Sequence, residues 1–351
     1  MPDAETAPTM RDTHPTLHAG GILTDEVYGE IRLTEPLLVE LMRTPAVRRL
    51  REIYQGGITA FIRPERDTTR LDHSVGVMAL LRRLGASTEE QAAGLIHDVP
   101  HTAFSHVIDF VFPNHAHTYH EDQSEEVFLN SEIPCILQRH GLDWRRVIEP
   151  EHYPRLEQPL PQLCADRLDY FLRDGILDLH TFTTEEGRTL LDHLQVWEER
   201  IVVDDVEAAR WLGDTFMTLD DGCWCSVQEV GWYAVMARAL REALRHAVIT
   251  LEDFAGTDAA LLKRLQRCDV PSVHHWLSRL DRSTDFVRDP DNYDLVALPK
   301  VRAIDPPVRM GDRAVPLSVL DGDFARRRRD YIARKSGRWY LRIIGPKAAR
   351  T

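Results

Sequence analysis

No apolar run in this chain approaches the roughly 18 residues that a membrane-spanning helix requires, so no membrane contact is expected. Cysteine is scarce. Cys135, Cys164, Cys223, Cys225 and Cys268 are odd in number and scattered, which argues against a disulfide framework and suits a reducing compartment. Cys223 and Cys225 form a C-x-C, but a zinc clip needs a second pair and none exists, so ordinary packing is expected of both. The first residues, MPDAETAPTMRDTHPTLHAGG, lack the apolar core of a secretory signal. Residues 1–20 read as a disordered tail, and a cytoplasmic location is expected. Internal repeats are missing too, which argues against a solenoid.

What is present is a core-forming composition. Of 351 residues, 43% are hydrophobic and 28% charged, enough for one large domain or two ordinary ones. The net charge of −13 is unevenly spread. From residue 301 onward there are 13 basic and 5 acidic residues, so this part carries +8 and leaves −21 on the rest. It includes the run Arg326-Arg327-Arg328-Arg329. Such a run is most often a solvated face, and it also offers a place for phosphates, either of a nucleotide or of nucleic acid.

Helical spacing dominates. YGEIRL alternates like a short strand, and TEPLLVELMRTPAVRRLREI then reads as helix with a break at Thr44-Pro45. TTRLDHSVGVMALLRRLG reads as a helix capped at Thr69 or Asp72 and closed by Gly85. STEEQAAGLIHD follows, with Ser87 and Glu90 in capping-box spacing. Pro100 disfavours helix at Val99, so this helix should end near Asp98 and another begin around Thr102. Residues 121–150, 160–198, 206–218 and 228–270 also read as mostly helical. After Pro290, KVRAIDPPVRMGDRAVPLSVL and SGRWYLRII alternate between turn residues and look like strands. The fold class expected is mainly α with a small C-terminal β portion.

The stretch HDVPHTAFSH puts three histidines and an aspartate beside the apolar Ala93-Gly94-Leu95-Ile96. Polar groups without partners are costly there, whereas a metal site needs them. His73, the pair His97-Asp98 and Asp166 are the candidate ligands. They are far apart in sequence, so several helices must converge to bring them together.

In this order, H…HD…D resembles the signature of the HD-domain metal phosphohydrolases. YGEIRL, TPAVRRLREIYQGG, RLDHSVGV, GLIHDVPHTAFSH, YHEDQSEEVF and DRLDYFLRDG occur as in the deoxynucleoside triphosphate triphosphohydrolase branch, which includes bacterial dGTP hydrolases and the vertebrate sterile-alpha-motif HD protein. The similarity spans roughly residues 22–180, with a fainter trace to about 270. It implies an HD-domain helical core over 21–200, a helical extension over 201–290 that completes the substrate site, and a small basic α/β region over 291–351.

It also implies roles. His73, His97, Asp98 and Asp166 resemble the ligands of one divalent ion, which could be Fe, Mn, Zn, Ni, Co or Mg. A second Mg could arrive with the nucleotide. Arg70, Arg167 and Tyr170 resemble phosphate-binding residues. Gln55 and Asp174 resemble residues that read the sugar 3′-hydroxyl. His106 and Asp109, three apart, look like a general acid and the carboxylate that stabilises its imidazolium. His101 and His120 resemble histidines that approach the phosphate. Pro100 and Thr102 stand where the family usually has glycines. His115 and His117 match nothing in the pattern and read as a polar loop. The implied activity is hydrolysis of a deoxynucleoside triphosphate to deoxynucleoside and triphosphate, by a homo-oligomer. Other phosphoesters are the alternative: a nucleoside monophosphate, a cyclic dinucleotide or a nucleic-acid end. A non-catalytic nucleotide sensor is a third reading.

Overall fold

The computed structural model describes residues 14–112 and 124–345. Helix takes 52% and strand 12%, which makes the fold mainly α. Strands β1 (Ile22–Asp25) and β2 (Gly29–Arg32) form an antiparallel hairpin with Leu23 opposite Ile31. Helices α1 (Pro36–Arg43) and α2 (Pro45–Arg49) are separated at Thr44, whose hydroxyl accepts from the Val47 amide and caps α2. Such a cap contributes about 1 kcal/mol.

Helix α3 (Arg70–Arg83) starts on a complete capping box. The Thr69 hydroxyl accepts from the Asp72 amide, and the Asp72 carboxylate accepts from the Thr69 amide at 2.7 Å. Gly85 ends it with φ of 71°, a left-handed conformation that suits glycine. Helix α4 (Thr88–Ile96) is capped by Ser87. The other half of its expected capping box is missing because Arg155 takes the Glu90 carboxylate at 2.5 Å.

The chain then departs from helix sooner and for longer than the periodicity predicts. The next helix, α5 (Val107–Val111), begins at Val107 rather than Thr102. Phe104 and Ser105 have φ of 61° and 51°, which no helix tolerates. Tertiary bonds impose this turn. Ser105 donates its hydroxyl to the Tyr54 carbonyl at 2.6 Å, and the Phe104 amide donates to Asp258 at 2.6 Å.

Helix α6 (Ala165–Arg173) runs into one wide π turn, Asp174–Asp178. Residues 194–203, expected to be helical in part, instead form the hairpin of β3 (Leu194–Trp197) and β4 (Arg200–Val203). Its turn holds Glu198 and Glu199 at positive φ. Helix α7 (Val206–Leu219) ends in a second π turn, Asp220–Trp224. Helices α8 (Val227–Arg245) and α9 (Asp258–Arg267) follow.

Strands β5 (Asp285–Arg288) and β6 (Leu295–Ala297) flank β9 (Trp339–Ile344) in one antiparallel sheet. Strands β7 (Pro307–Met310) and β8 (Arg313–Pro316) extend the β3–β4 hairpin, with β7 parallel to β4. Helix α10 (Gly322–Lys335) carries the arginine run. The C-terminal residues are therefore divided between two sheets, one of which begins at Leu194.

The core has two apolar clusters. One gathers α1, α3, α4 and α6, with Phe171 stacked on Phe216 at 5.7 Å. The other gathers residues 54–62, α5, α8 and α9. The turn after α4 crosses between them: Val99 belongs to the first and Phe104 to the second. Functional side chains on that turn sit at the seam.

Candidate metal centre

His73, one turn into α3, has its ring buried. Its Nδ1–H donates to Asp169 at 2.7 Å, and its Nε2 lies 2.8 Å from Asp166 and 3.9 Å from Asp98. His97, at the end of α4, donates Nδ1–H to the Gly94 carbonyl at 2.7 Å, the bond a helix end leaves open. Its Nε2 is buried and makes no hydrogen bond, with Asp98 and Asp166 oxygens 3.4 and 3.6 Å away. Both imidazoles therefore hand their Nδ1 proton outward and turn Nε2 toward the carboxylates. That is the arrangement in which imidazole ligates a metal.

The four expected ligands converge. Ligands at about 2.1 Å from a common ion, at angles between square and tetrahedral, stand about 3.0–3.4 Å apart. The separations of 2.8, 3.4, 3.6 and 3.9 Å among these atoms bracket that range. His73, His97 and Asp98 also offer one ligand atom each within 4.8 Å of one another. A divalent ion fits this donor set of two imidazoles and two carboxylates.

The electrostatics agree. Burial alone would drive protons off His73, but the hydrogen bonds to Asp166 and Asp169 and the charge of Asp98 outweigh it and push its pKa up to about 10. His97 is raised too, because Asp98 and Asp166 more than offset its burial. Burial would also raise Asp98, yet Arg70, His97 and His101 hold it well below the usual carboxylate range. The cluster has a surplus of negative charge and retains a cation, a proton or a metal, at neutral pH.

A second layer holds the ligands. Asp169 accepts from His73 and from two nitrogens of Arg173, both at 3.2 Å, and Arg173 reaches Asp25 on β1 at 2.9 Å. All three are at most 2% exposed. Gly76 makes room for this chain: a Cβ there would stand 1.9 Å from Asp169 Oδ1 and 2.2 Å from Arg173 Nη2. Sequence reading missed Asp169, Arg173 and Asp25. The signal for Asp169 was its place in DRLDYFLRD, three residues after a ligand. Arg49 and Asp258 were missed as well. Arg49 donates to the carbonyls of Val99 and His101, and Asp258 accepts the amides of Tyr54 and Phe104. Together they fix the turn from both sides.

The remaining candidates distribute as follows. Arg70 donates to Asp98 at 2.9 Å and to the Ser105 hydroxyl at 3.0 Å, and its buried Nη2 makes no hydrogen bond. Arg167 sits close enough to Asp166 and Tyr170 for its charge to act on both, and its Nε is buried without a hydrogen-bond partner. Its guanidinium donates to the Gln162 and Gln158 carbonyls at 2.6 and 3.0 Å and to Cys164 Sγ, with Glu157 3.6 Å away. His101 donates Nε2–H to Asp98 at 3.1 Å, and its ring meets His106 edge-on at 5.1 Å. His106 donates Nδ1–H to Asp109 at 3.3 Å. His120 lies outside the described residues, as do His115 and His117.

A cavity opens beside the centre. It is lined by His106, Asp109, Gln55, Tyr170, Asp174 and, from later in the chain, Glu229, Trp224, Lys300 and Arg302. Both π turns contribute to it, joined by the Trp224 indole N–H donating to Asp174 at 2.6 Å. Gln55 Oε1 is buried without a hydrogen-bond partner. Glu229, held at 2.5 Å by the Thr59 hydroxyl, is raised by burial to about 7. Cys223 and Cys225 are buried free thiols. Of the arginine run on α10, Arg327 pairs with Asp214 at 2.6 Å and Arg328 donates to the Ile304 carbonyl, so much of it is internally matched. Among the described residues no helix is long and apolar enough to cross a membrane.

Residues 70–174 match the family model described as HD domain. The chain is 40% identical over 301 residues to the uncharacterized protein YdhJ of Bacillus subtilis, covering 84% of this chain and 91% of that one. It is 34% identical over 340 residues to the metal-dependent phosphohydrolase cns2 of Cordyceps militaris, covering 93% and 97%. A shorter match, 33% over 144 residues, relates 34% of this chain to 23% of the deoxynucleoside triphosphate triphosphohydrolase SAMHD1 of Gallus gallus.

Proposed function

Because this chain belongs to the HD-domain family of metal-dependent phosphohydrolases, we propose that it hydrolyses the phosphoester of a nucleotide, with deoxynucleoside triphosphates as the substrates implied by its motifs. The observation that supports this reading is the His73–His97–Asp98–Asp166 cluster next to a cavity whose wall includes Tyr170, its ring 6.5 Å from that of His73, together with cationic and hydrogen-bonding side chains. A divalent ion held by those four residues supplies Lewis acidity and an activated water when bound. His97 and His73 keep their Nε2 lone pairs available because Gly94 and Asp169 take the other proton. Arg70 orients Asp98, and its unpartnered Nη2 can donate a hydrogen bond to a phosphate oxygen and offset its developing negative charge. His106, its imidazolium stabilised through Nδ1–H by Asp109, gives its Nε2 proton to the 5′-oxygen as the P–O bond breaks and is left neutral. Gln55 and Asp174 bond the sugar 3′-hydroxyl. The products are a nucleoside and the inorganic phosphate chain.

A second reading, a nucleoside monophosphate as substrate, is favoured by the orientation of Arg167. Its two Nη nitrogens are taken by the Gln162 and Gln158 carbonyls, which leaves only a buried Nε to offer a polyphosphate. The fungal phosphohydrolase also aligns over nearly the whole chain, whereas the triphosphohydrolase aligns over a third. The decisive experiment is a turnover screen of nucleoside mono-, di- and triphosphates with a panel of divalent metals and identified products. Release of triphosphate supports the first reading and release of orthophosphate from monophosphates the second. Metal-loaded protein that turns over no nucleotide refutes both.

A further inference from the structure

We propose that the coil segment bearing Lys300 and Arg302 is a phosphate clamp of this site, beside Arg167, whose two Nη nitrogens are taken by the loop before α6. The proposal rests on the nucleotide reading above and adds residues that no motif of the family marks in this chain.

Both side chains line the cavity that holds His106 and Tyr170. The Arg302 guanidinium is 17% exposed and touches its own wall through one nitrogen. Nη1 donates to the Lys300 carbonyl at 3.2 Å and stands 3.9 Å from Asp220. Its Nε and Nη2 hydrogen-bond to nothing among the described residues. Its charge acts on the Tyr170 hydroxyl, and the Tyr170 ring is 6.5 Å from that of His73. Lys300 acts in the same way on Glu157, whose carboxylate lies within 4.8 Å of a ligand atom of Asp166. The two cations therefore share the cavity wall with Tyr170. Arg167 acts on the same Tyr170 and Glu157 groups, but its two Nη nitrogens are taken by the Gln162 and Gln158 carbonyls.

The segment is also preorganised. The Arg302 amide donates to Asp220 at 3.0 Å, and Tyr331 on α10 donates its hydroxyl to the same oxygen at 2.7 Å. Ala303 and Ile304, the next two residues, are buried, and Arg328 of the arginine run grips both of their carbonyls. The Asp305 amide donates to the Pro161 carbonyl at 3.0 Å. Apolar side chains thus anchor the backbone while the cations face the cavity. A cation held this way needs little reordering when an anion arrives. Part of the basic C-terminal region then acts inward, by holding the clamp.

The test uses inorganic phosphate as probe. Its binding to the metal-loaded full chain is measured by calorimetry, and its competitive inhibition of nucleotide turnover in parallel, for wild type, R302Q, K300Q, R302K and R167Q. Losing one charge-assisted hydrogen bond corresponds to roughly a 10- to 100-fold loss of affinity. R302Q and K300Q should each show a loss of that order, with metal content and melting temperature unchanged and KM raised more than kcat is lowered. R302K should recover part of the loss. The proposal is overturned if wild type binds no phosphate, if R302Q and K300Q bind it as wild type does, or if R167Q alone reproduces the loss. Phosphate binding that depends on the clamp in a protein inert toward every nucleotide would refute the substrate reading and leave the clamp standing. Nucleotide turnover with unaltered phosphate binding in the clamp variants would do the reverse.

Discussion

Asp169→Asn removes the charge behind His73 and nothing else of comparable size. In the wild type, Asp169 accepts the His73 Nδ1 proton at 2.7 Å and two Arg173 bonds at 3.2 Å, at a site fully closed to solvent. Asparagine can still accept from His73, so the tautomer survives. What is lost is the charge that makes the bond strong, and a charge-assisted bond exceeds a neutral one by about 1 kcal/mol or more. The amide nitrogen must also sit beside Arg173, which then relies on Asp25. Both effects weaken His73 as a donor, and replacing such an outer partner costs about 10- to 100-fold in metal affinity. Asp98→Asn, which alters a ligand directly, should cost more. Gly76→Ala should resemble Asp169→Asn, since its new methyl would displace the same carboxylate. The assay is competition for the ion against a chelator of known affinity, with thermal melting as a check on folding. Asp169→Asn that binds metal as tightly as wild type while folding normally would refute the view that His73 is held for ligation.

Other consequences can be checked alongside it. Because the His73 pKa is raised from 6.5 to about 10 in the metal-free fold, its stabilisation is complete below pH 6.5 and drains away as pH rises toward 10. Chelated protein should therefore melt at lower temperature at pH 9.5 than at pH 7, a trend that bound metal abolishes; a flat profile after chelation would contradict the assigned charges. For the same reason metal uptake should release protons near neutral pH, visible as a buffer-dependent calorimetric heat. If Gln55 and Asp174 read the 3′-hydroxyl, dideoxynucleotides should lose roughly 10- to 100-fold in kcat/KM, as expected when a buried polar pair is left unmatched. Equal turnover of both sugars would remove them from the site. His106→Ala should keep its metal but lose roughly 100- to 10,000-fold in rate, and much less on p-nitrophenyl esters, whose leaving group needs no proton. An equal loss on both esters would point to another acid.

The candidate metal ligands stood out in the sequence because their constraint is local chemistry. His97-Asp98 ends a helix that Ser87 starts and Pro100 stops, and His73 follows a Thr69–Asp72 capping box. What failed to show was set from far along the chain. The start of α5 shifted to Val107 because Asp258 and the Tyr54 carbonyl hold Phe104 and Ser105 in conformations no local rule favours. Arg167 carries the same charge wherever it points, and the Gln158 and Gln162 carbonyls decided its direction. Strand β3 fell inside a span read as mostly helical because its apolar residues fit either period over so short a length, and pairing with β4 settles it. Lys300 and Arg302 lay in a stretch read as strand, and only the folded chain, which leaves that stretch as coil, brings them beside Tyr170.

The bond from Asp258 to Tyr54 and Phe104 also orders events during synthesis. Ribosomes deliver chain at about 5–20 residues per second, so every residue from His73 to Asp166 emerges seconds before Asp258. Over that interval the nascent chain carries a full set of imidazoles and carboxylates, but the turn that shapes the site has no pin. Metal captured then would meet flexible ligands and be held loosely. The turn beside the ligands takes its final shape only when helix α9 brings Asp258 to the Tyr54 and Phe104 amides.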